Sequence, residues 1–299
     1  MQSLPQVVIA GHGQMGHAME TLLDGRATLA IWDIAPERLQ LHAATAAAAR
    51  RCDFLLVCVP TAAHAAVFAP LVTLLPAGAG TMSIAKGLDD SGHTAADILA
   101  TQLEGKASWG VLGGPMIANE INVRRPAFAQ LGTHDAALYT RAAALFHGSG
   151  LRLTHAPEPR AVSWCGVLKN VYAPLIGISD ALGWGDNARG YLVMAALLEM
   201  QRLTKVFTGT DAGVYAEAGL ADFITTVTSR SSHHYALGQA VARGEMPVPG
   251  SEGVHSLTVL QRQKMIEFGG YPLLKVAGGL VHDPLHVPVA LGEWLRATV

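Results

Sequence analysis

The stretch VVIAGHGQMGHAMETLL (7–23) decides how the first half of this chain is read. Val7–Ala10 is a short β-branched run with strand character, and Met15–Leu23 carries apolar residues at helical spacing. Between them lies Gly11-His12-Gly13-Gln14-Met15-Gly16, a glycine-rich turn in the strand-then-helix setting that gives such a pattern meaning. The first glycine permits a tight turn, the second lets backbone approach a pyrophosphate, and the third lets helix and strand pack closely. The free N–H groups of the helix start then face the phosphates, which Gln14 and Met15 would help to hold. A second strand, TLAIWD (28–33), ends in an acid seventeen residues past Gly16. A carboxylate at Asp33 can accept bonds from both ribose hydroxyls and would repel a 2′-phosphate. The pattern predicts a dinucleotide site, with NAD preferred over NADP. Helix capping or plain exposure is the bland alternative for Asp33.

Outward from this unit the alternation continues. An alanine-rich helix runs to about Arg50, and FLLVCV (54–59), TMSIA (81–85), WGVLG (109–113) and PAFAQLG (126–132) are further strand candidates. Alternating strands and helices predict parallel pairing with right-handed crossovers. Beyond His155 strand signals nearly vanish. APEPR (156–160) reads as a proline-bearing linker, and long helices are expected over 162–182, 188–207, 232–243 and 256–268. The expected fold class is therefore α/β: an N-terminal doubly wound (Rossmann) parallel sheet over residues 1–155, then an all-α C-terminal domain over 156–299.

Composition narrows the function classes. Half of the 299 residues are apolar, 15% are charged, and the formal net charge is −2 with no basic block. Nothing marks a nucleic-acid or anionic-membrane surface. Cys52, Cys58 and Cys165 stand in no paired or metal-like spacing, which reads as a reduced, cytoplasmic chain. The segment from Asp53 to Lys86 is uncharged in between, long enough to raise the membrane question. Pro60, Pro70 and Pro76 cut it into strand and helix lengths, so no span is expected. No metal site is expected either: His282 and His286 are separated by Pro284, and His12 reads as a solvent-facing loop residue.

Later strings are more specific. CVPT (58–61), SIAKGLDD (83–90), VLGGPMIANEI (111–121), GVLKNVYAPLIGISDALGWGDNARGYLVMAALLEM (166–200), AGLADFITTVTSRSS (218–232) and GSEGV (250–254) occur in that order. Together they resemble the NAD(P)-dependent glycerol-3-phosphate dehydrogenases nearly end to end. The resemblance implies reversible reduction of dihydroxyacetone phosphate, with a phosphorylated triose as partner and a homodimer as the assembly. It implies that Lys169 is the catalytic lysine, that Lys86 reaches nicotinamide and substrate, and that Asp222 orients an ammonium. Chemistry agrees: a ketone reduction needs a proton donor at the oxygen, and burial or a neighbouring cation can bring a lysine into range. The same resemblance assigns Gly11, Gly13, Gln14, Met15, Gly16, Asp33, Pro60, Lys86, Ala118, Arg230 and Glu252 to the cofactor. It assigns Lys86, Gly114, Lys169, Asn170, Asp222, Arg230 and Ser231 to the substrate. Arg230 suits a phosphate because its fork donates two parallel bonds.

Each residue also has a plainer reading. Lysines in helices are usually solvated, Asp222 could cap a helix from Phe223, Asn187 could cap the helix from 188, and Glu252 could be a turn acid. The chain also departs from the family. Met116 stands in GGPM where a hydroxyl residue is usual, and Ser231 replaces the asparagine after Arg230. Ser232, His233 and His234 stand where further arginines are usual. The segment between Asp33 and the third strand is short as well. Two alternatives therefore stay open: a related dehydrogenase acting on another small hydroxy or keto acid, and a catalytically silent dinucleotide-binding sensor.

Overall fold

A computed structural model describes residues 3–33, 43–229, 231–246 and 251–298. Seven strands form one sheet: β1 (Gln6–Ala10), β2 (Thr28–Trp32), β3 (Phe54–Val57), β4 (Gly80–Ser83), β5 (Ser108–Gly113), β6 (Ala127–Gly132) and β7 (Leu151–Ala156). Their order is β2-β1-β3-β4-β5-β6-β7. Neighbours pair in parallel except β5 with β6, which run antiparallel. The helices of this half are α1 (Gln14–Leu23), α2 (Ala43–Ala49), α3 (His64–Leu71), α4 (Ala95–Leu103), α5 (Ala118–Asn122) and α6 (Ala136–Phe146).

The sheet is the mostly parallel one expected, with the antiparallel step as a local exception. Only the five-residue α5 lies between β5 and β6, too short a cover for a right-handed crossover, so the chain turns straight back. Strands β1 and β3 show why both faces of the sheet are dry. Val7 and Ile9 enter one apolar core with Phe54 and Leu56, while Val8 and Ala10 enter another with Leu55 and Val57. Successive side chains point to opposite faces, and a sheet covered by helices on both must be apolar at every position.

After β7 the described chain is helical: α7 (Pro159–Ala181), α8 (Gly185–Thr208), α9 (Asp222–Thr228), α10 (His233–Ala242), α11 (Glu252–Arg262), α12 (Pro272–His282) and α13 (Val287–Ala297). A π-helical turn, Glu217–Ala221, leads into α9. The expected linker at 156–160 does not exist as such. Pro159 is already the first turn of α7, a position where its missing N–H costs nothing. Asn187 is not an N-cap either, because α8 starts at Gly185 and leaves it exposed in the first turn.

Helix α7 organises the molecule. It is the one described helix long and apolar enough to cross a membrane, and its most apolar 18-residue window is wholly buried inside the fold. The core on one sheet face continues through Val162, Trp164 and Val167 of α7 into the helical half. Trp164 stacks on Phe207 of α8 with ring centroids 3.8 Å apart. Against α10 the approach is closer still, since a Cβ at Gly238 would collide with the carbonyl of Pro174. Small residues at such a crossing let two backbones touch.

Candidate active site

The glycine turn has the shape its residues dictate. Gly11 sits at φ +95°, a conformation that glycine adopts freely, and a Cβ there would strike Val59. A Cβ at Gly16 would strike the carbonyl oxygen of Gly11. Gly13 differs, because nothing lies within 4 Å of where its Cβ would be. No protein atom demands a glycine there, so the space above it is free for an incoming group. Gly13 is also the N-cap of α1 and offers no capping side chain, which leaves the leading N–H groups to a ligand. The turn therefore fits a dinucleotide pyrophosphate. Gly11 donates its N–H to the carbonyl of Trp32 at 2.8 Å, which brings the end of β2, and Asp33 after it, beside the turn.

A cavity of about 420 Å³ opens next to this turn. Gln14, Met15 and Ala118 line it from the sheet half, and Lys169, Asp222, Thr226 and Ser231 line it from the helical half. Lys86, three residues past the end of β4, reaches in from the carboxyl edge of the sheet, where ligands of open parallel sheets bind.

Three of these groups converge. Lys86 Nζ donates to Asp222 Oδ2 at 2.7 Å and to the carbonyl of Gly114 at 2.9 Å. Lys169 Nζ lies 3.4 Å from the other oxygen, Asp222 Oδ1, and donates to Thr226 Oγ1 at 2.7 Å. The Thr226 hydroxyl in turn donates to the backbone carbonyl of Asp222, also at 2.7 Å. One carboxylate thus holds two ammonium groups, one from each half of the chain. All three side chains are largely buried: Asp222 is 3% exposed, Lys169 7%, and the Lys86 side chain 17%.

Burial is the main cause that lowers the Lys169 pKa, to about 8, and the positive charge of Lys86 pushes the same way. Asp222 opposes both by stabilising the ammonium. The result is an amine that is still mainly protonated at neutral pH and can part with its proton.

Local geometry explains the convergence. Asp222 is the first residue of α9, turned inward by the preceding π-helical turn, and Thr226 follows four residues later on the same helix face. Gly166, one turn before Lys169 on α7, leaves room for the stem of Lys86: a Cβ there would stand 3.0 Å from Lys86 Cγ. Asn170 donates to the backbone carbonyl of Lys86 at 3.0 Å, tying that loop to α7, and does not line the cavity.

The remaining expected residues fall as follows. Gly114, at φ +147°, lies against the backbone of Phe128 and presents its carbonyl to Lys86. Pro60 precedes a short 3-10 turn after β3 and is not among the cavity-lining residues. Glu252 opens α11 beside Gly87, and burial raises its pKa against the pull of Lys169 and Lys86. Arg230 lies outside the described residues. Its neighbours Ser229, Ser231, Ser232, His233 and His234 all line the cavity, as does the buried Met116.

Thr226 went unremarked in the sequence, and His234 was noted there only as standing where an arginine is usual. Thr226 had a signal, the spacing of four from Asp222 on one helix. His234 had none, because nothing in a pair of adjacent histidines says which one faces inward. Its Nδ1 is buried with no partner among the described residues. Burial first, then the charges of Lys169, His233 and Lys86, lower its pKa to about 3, so it is neutral. His12 was expected to face solvent. Instead its Nε2 lies 2.8 Å from Glu20 Oε2 and its side chain is only 23% exposed.

A sheet half with an open glycine turn, facing a helical half that supplies a buried lysine, is the layout of a two-domain dehydrogenase. Family models for the N-terminus and C-terminus of NAD-dependent glycerol-3-phosphate dehydrogenase match residues 32–138 and 158–271. A glycerol-3-phosphate dehydrogenase [NAD(P)+] of Deinococcus radiodurans is 35% identical over 206 residues, covering 69% of this chain and 61% of that protein. Another, from Aromatoleum aromaticum, is 32% identical over 256 residues, covering 83% of this chain and 78% of that protein. The crystal structure of the glycerol-3-phosphate dehydrogenase from Coxiella burnetii superposes with a TM-score of 0.86 at 24% identity, over 98% of this chain and 99% of that one. The chain belongs to the NAD-dependent glycerol-3-phosphate dehydrogenase family, and with it to the NAD(P)-dependent oxidoreductases acting on CH–OH groups.

Proposed function

We propose that the chain reversibly reduces dihydroxyacetone phosphate to sn-glycerol 3-phosphate, with NADH preferred over NADPH. The observation that carries this reading is the buried Asp222 shared by Lys86 and Lys169 at the wall of the cavity. A bound nicotinamide supplies the hydride. Gly11, Gly13 and Gly16 form the cradle for the pyrophosphate, the start of α1 meets its charge, and Asp33 favours a ribose over a 2′-phosphate. Lys169 gives its proton to the carbonyl oxygen as that oxygen becomes a hydroxyl, and its lowered pKa keeps the transfer feasible near neutrality. Asp222 and the Gly114 carbonyl fix Lys86 so that its ammonium polarises the same carbonyl.

The phosphate end of the substrate falls to Arg230 together with the hydroxyls of Ser231 and Ser232, which line the cavity wall. Met116 narrows that wall without offering a donor. In this division of labour residues 1–155 hold the cofactor and 156–299 supply the catalytic lysine. The enzyme works in the cytoplasm as a homodimer. Tyr191, Met194 and Leu198, exposed at helical spacing along α8, support an apolar contact with a second copy.

The test is oxidation of NADH and NADPH by purified protein, with dihydroxyacetone phosphate at the head of a panel of keto compounds. Turnover is expected with dihydroxyacetone phosphate and faster with NADH. In the Lys169→Ala variant kcat falls by about 10²–10⁴, the usual contribution of a positioned acid, while cofactor affinity holds. Turnover confined to a different keto compound would refute the substrate, and an active Lys169→Ala enzyme would refute the mechanism.

A further inference from the structure

His17 and Glu20 on α1, with His12 in the turn before it, take no part in the reaction described above. Their ligand atoms all fall within 4.8 Å of one another. Glu20 Oε2 is 2.8 Å from His12 Nε2 and 3.5 Å from His17 Nδ1, and the two imidazole rings lie with centroids 3.8 Å apart at an interplanar angle of 42°. We infer that these three side chains form a binding site for a divalent transition-metal ion of the zinc class.

The distances suit such an ion. Zinc binds imidazole nitrogen and carboxylate oxygen at about 2.0–2.2 Å, so ligand atoms around a tetrahedral ion stand roughly 3.3 Å apart. The two measured separations bracket that value, and the third needs only a side-chain rotation. Two imidazoles with one carboxylate form a donor set typical of open zinc sites, where water takes the fourth position. Copper and nickel favour the same donors, whereas magnesium and calcium prefer oxygen-rich shells.

Backbone geometry builds the set. His17 and Glu20 are three apart on one face of α1, and the tight turn at Gly11 brings His12 back over that face. Access is open, with His17 54% and Glu20 42% exposed. The site itself stands independently of the reaction assigned to the chain. One consequence does rest on the cofactor reading. Because His12 sits between Gly11 and Gly13, an ion anchored on it pre-orders the dinucleotide turn. The ion also cancels the Glu20 charge where it meets His12, in the turn that must receive phosphates, so loading tightens cofactor binding.

The experiment titrates tag-free protein with CoCl2, read by visible absorbance, and with ZnCl2 by calorimetry. One saturable equivalent with the intense absorption of low-coordinate cobalt is expected. His17→Asn and Glu20→Gln, both on the exposed face and both checked for fold by circular dichroism, weaken it about tenfold or more. No saturable binding, or binding undiminished in the double variant, overturns the site. NADH affinity is then compared in zinc-loaded and metal-free protein. Tightening in the wild type that vanishes in Glu20→Gln supports the link to the turn, and equal affinities overturn that link.

Discussion

Asp222 and Glu199 are both carboxylates taken out of water, at 3% and 7% exposure, yet their partners differ in kind. Glu199, on α8, accepts from the Tyr172 hydroxyl at 2.8 Å and from the backbone N–H groups of Leu273 and Leu274 at 2.9 Å each. Those donors are neutral and carried by packed helices. The two N–H groups belong to the first turn of α12, which has no side-chain cap of its own. Glu199 therefore acts as a structural anion at a helix start, fully supplied with donors and not among the residues that line the cavity. Asp222 instead faces two flexible cations at the wall of a cavity. The same chemical group stabilises the fold in one place and poises reactive amines in the other. What decides is whether its partners are backbone groups or titratable side chains.

Substitutions can separate the two roles. Asp222→Asn keeps the shape but leaves Lys86 and Lys169 facing each other without a counter-ion. Turnover should fall by about a hundredfold or more in protein that is still folded by circular dichroism, a loss within the range of positioned acid–base groups, and the uncompensated buried charge lowers the melting temperature as well. A variant that keeps more than a tenth of the activity would show that the carboxylate does not position the amines. Glu199→Gln should cost stability alone. One acceptor oxygen becomes a donor beside groups that already donate, costing about 1–3 kcal/mol of stability, visible in denaturant unfolding, with kcat unaltered. A loss of turnover at unchanged stability would erase the contrast. Smaller still is the expected effect of Gly166→Ala. The new methyl presses on the stem of Lys86 and shifts its ammonium by a few tenths of an ångström. A drop of a few fold in kcat/KM is expected, since rates respond steeply to misplacement at this scale. Unchanged kinetics would show that the Lys86 position tolerates more slack than its two hydrogen bonds imply.

Much of this contrast was legible in the sequence on one side and hidden on the other. The glycine turn could be read from its local context, a strand before and a helix after, and the lysines from strings that resemble those of the family. The sheet could be read from uninterrupted apolar runs, except that the half-polar β7 was missed and that one short helix reversed the chain into β6, which no periodicity recorded. The anchoring role of Glu199 was not visible, since its partners stand 27, 74 and 75 residues away and two of them are backbone groups. Thr226 was within reach as the residue one turn after Asp222, but a threonine in a helix more often just bonds the preceding turn. His12 was misread because a loop residue was assumed to face solvent, while the tight turn at Gly11 folds it back onto Glu20.

The most direct measurement follows kcat against pH in both directions of the reaction. A lysine with its pKa lowered to about 8 carries the proton that reduction consumes, so ketone reduction should decline as pH rises through about 8. Alcohol oxidation needs the neutral amine and should climb through the same range. If both profiles stay flat from neutrality to well above that pH in the wild type, Lys169 is not the group that moves the proton.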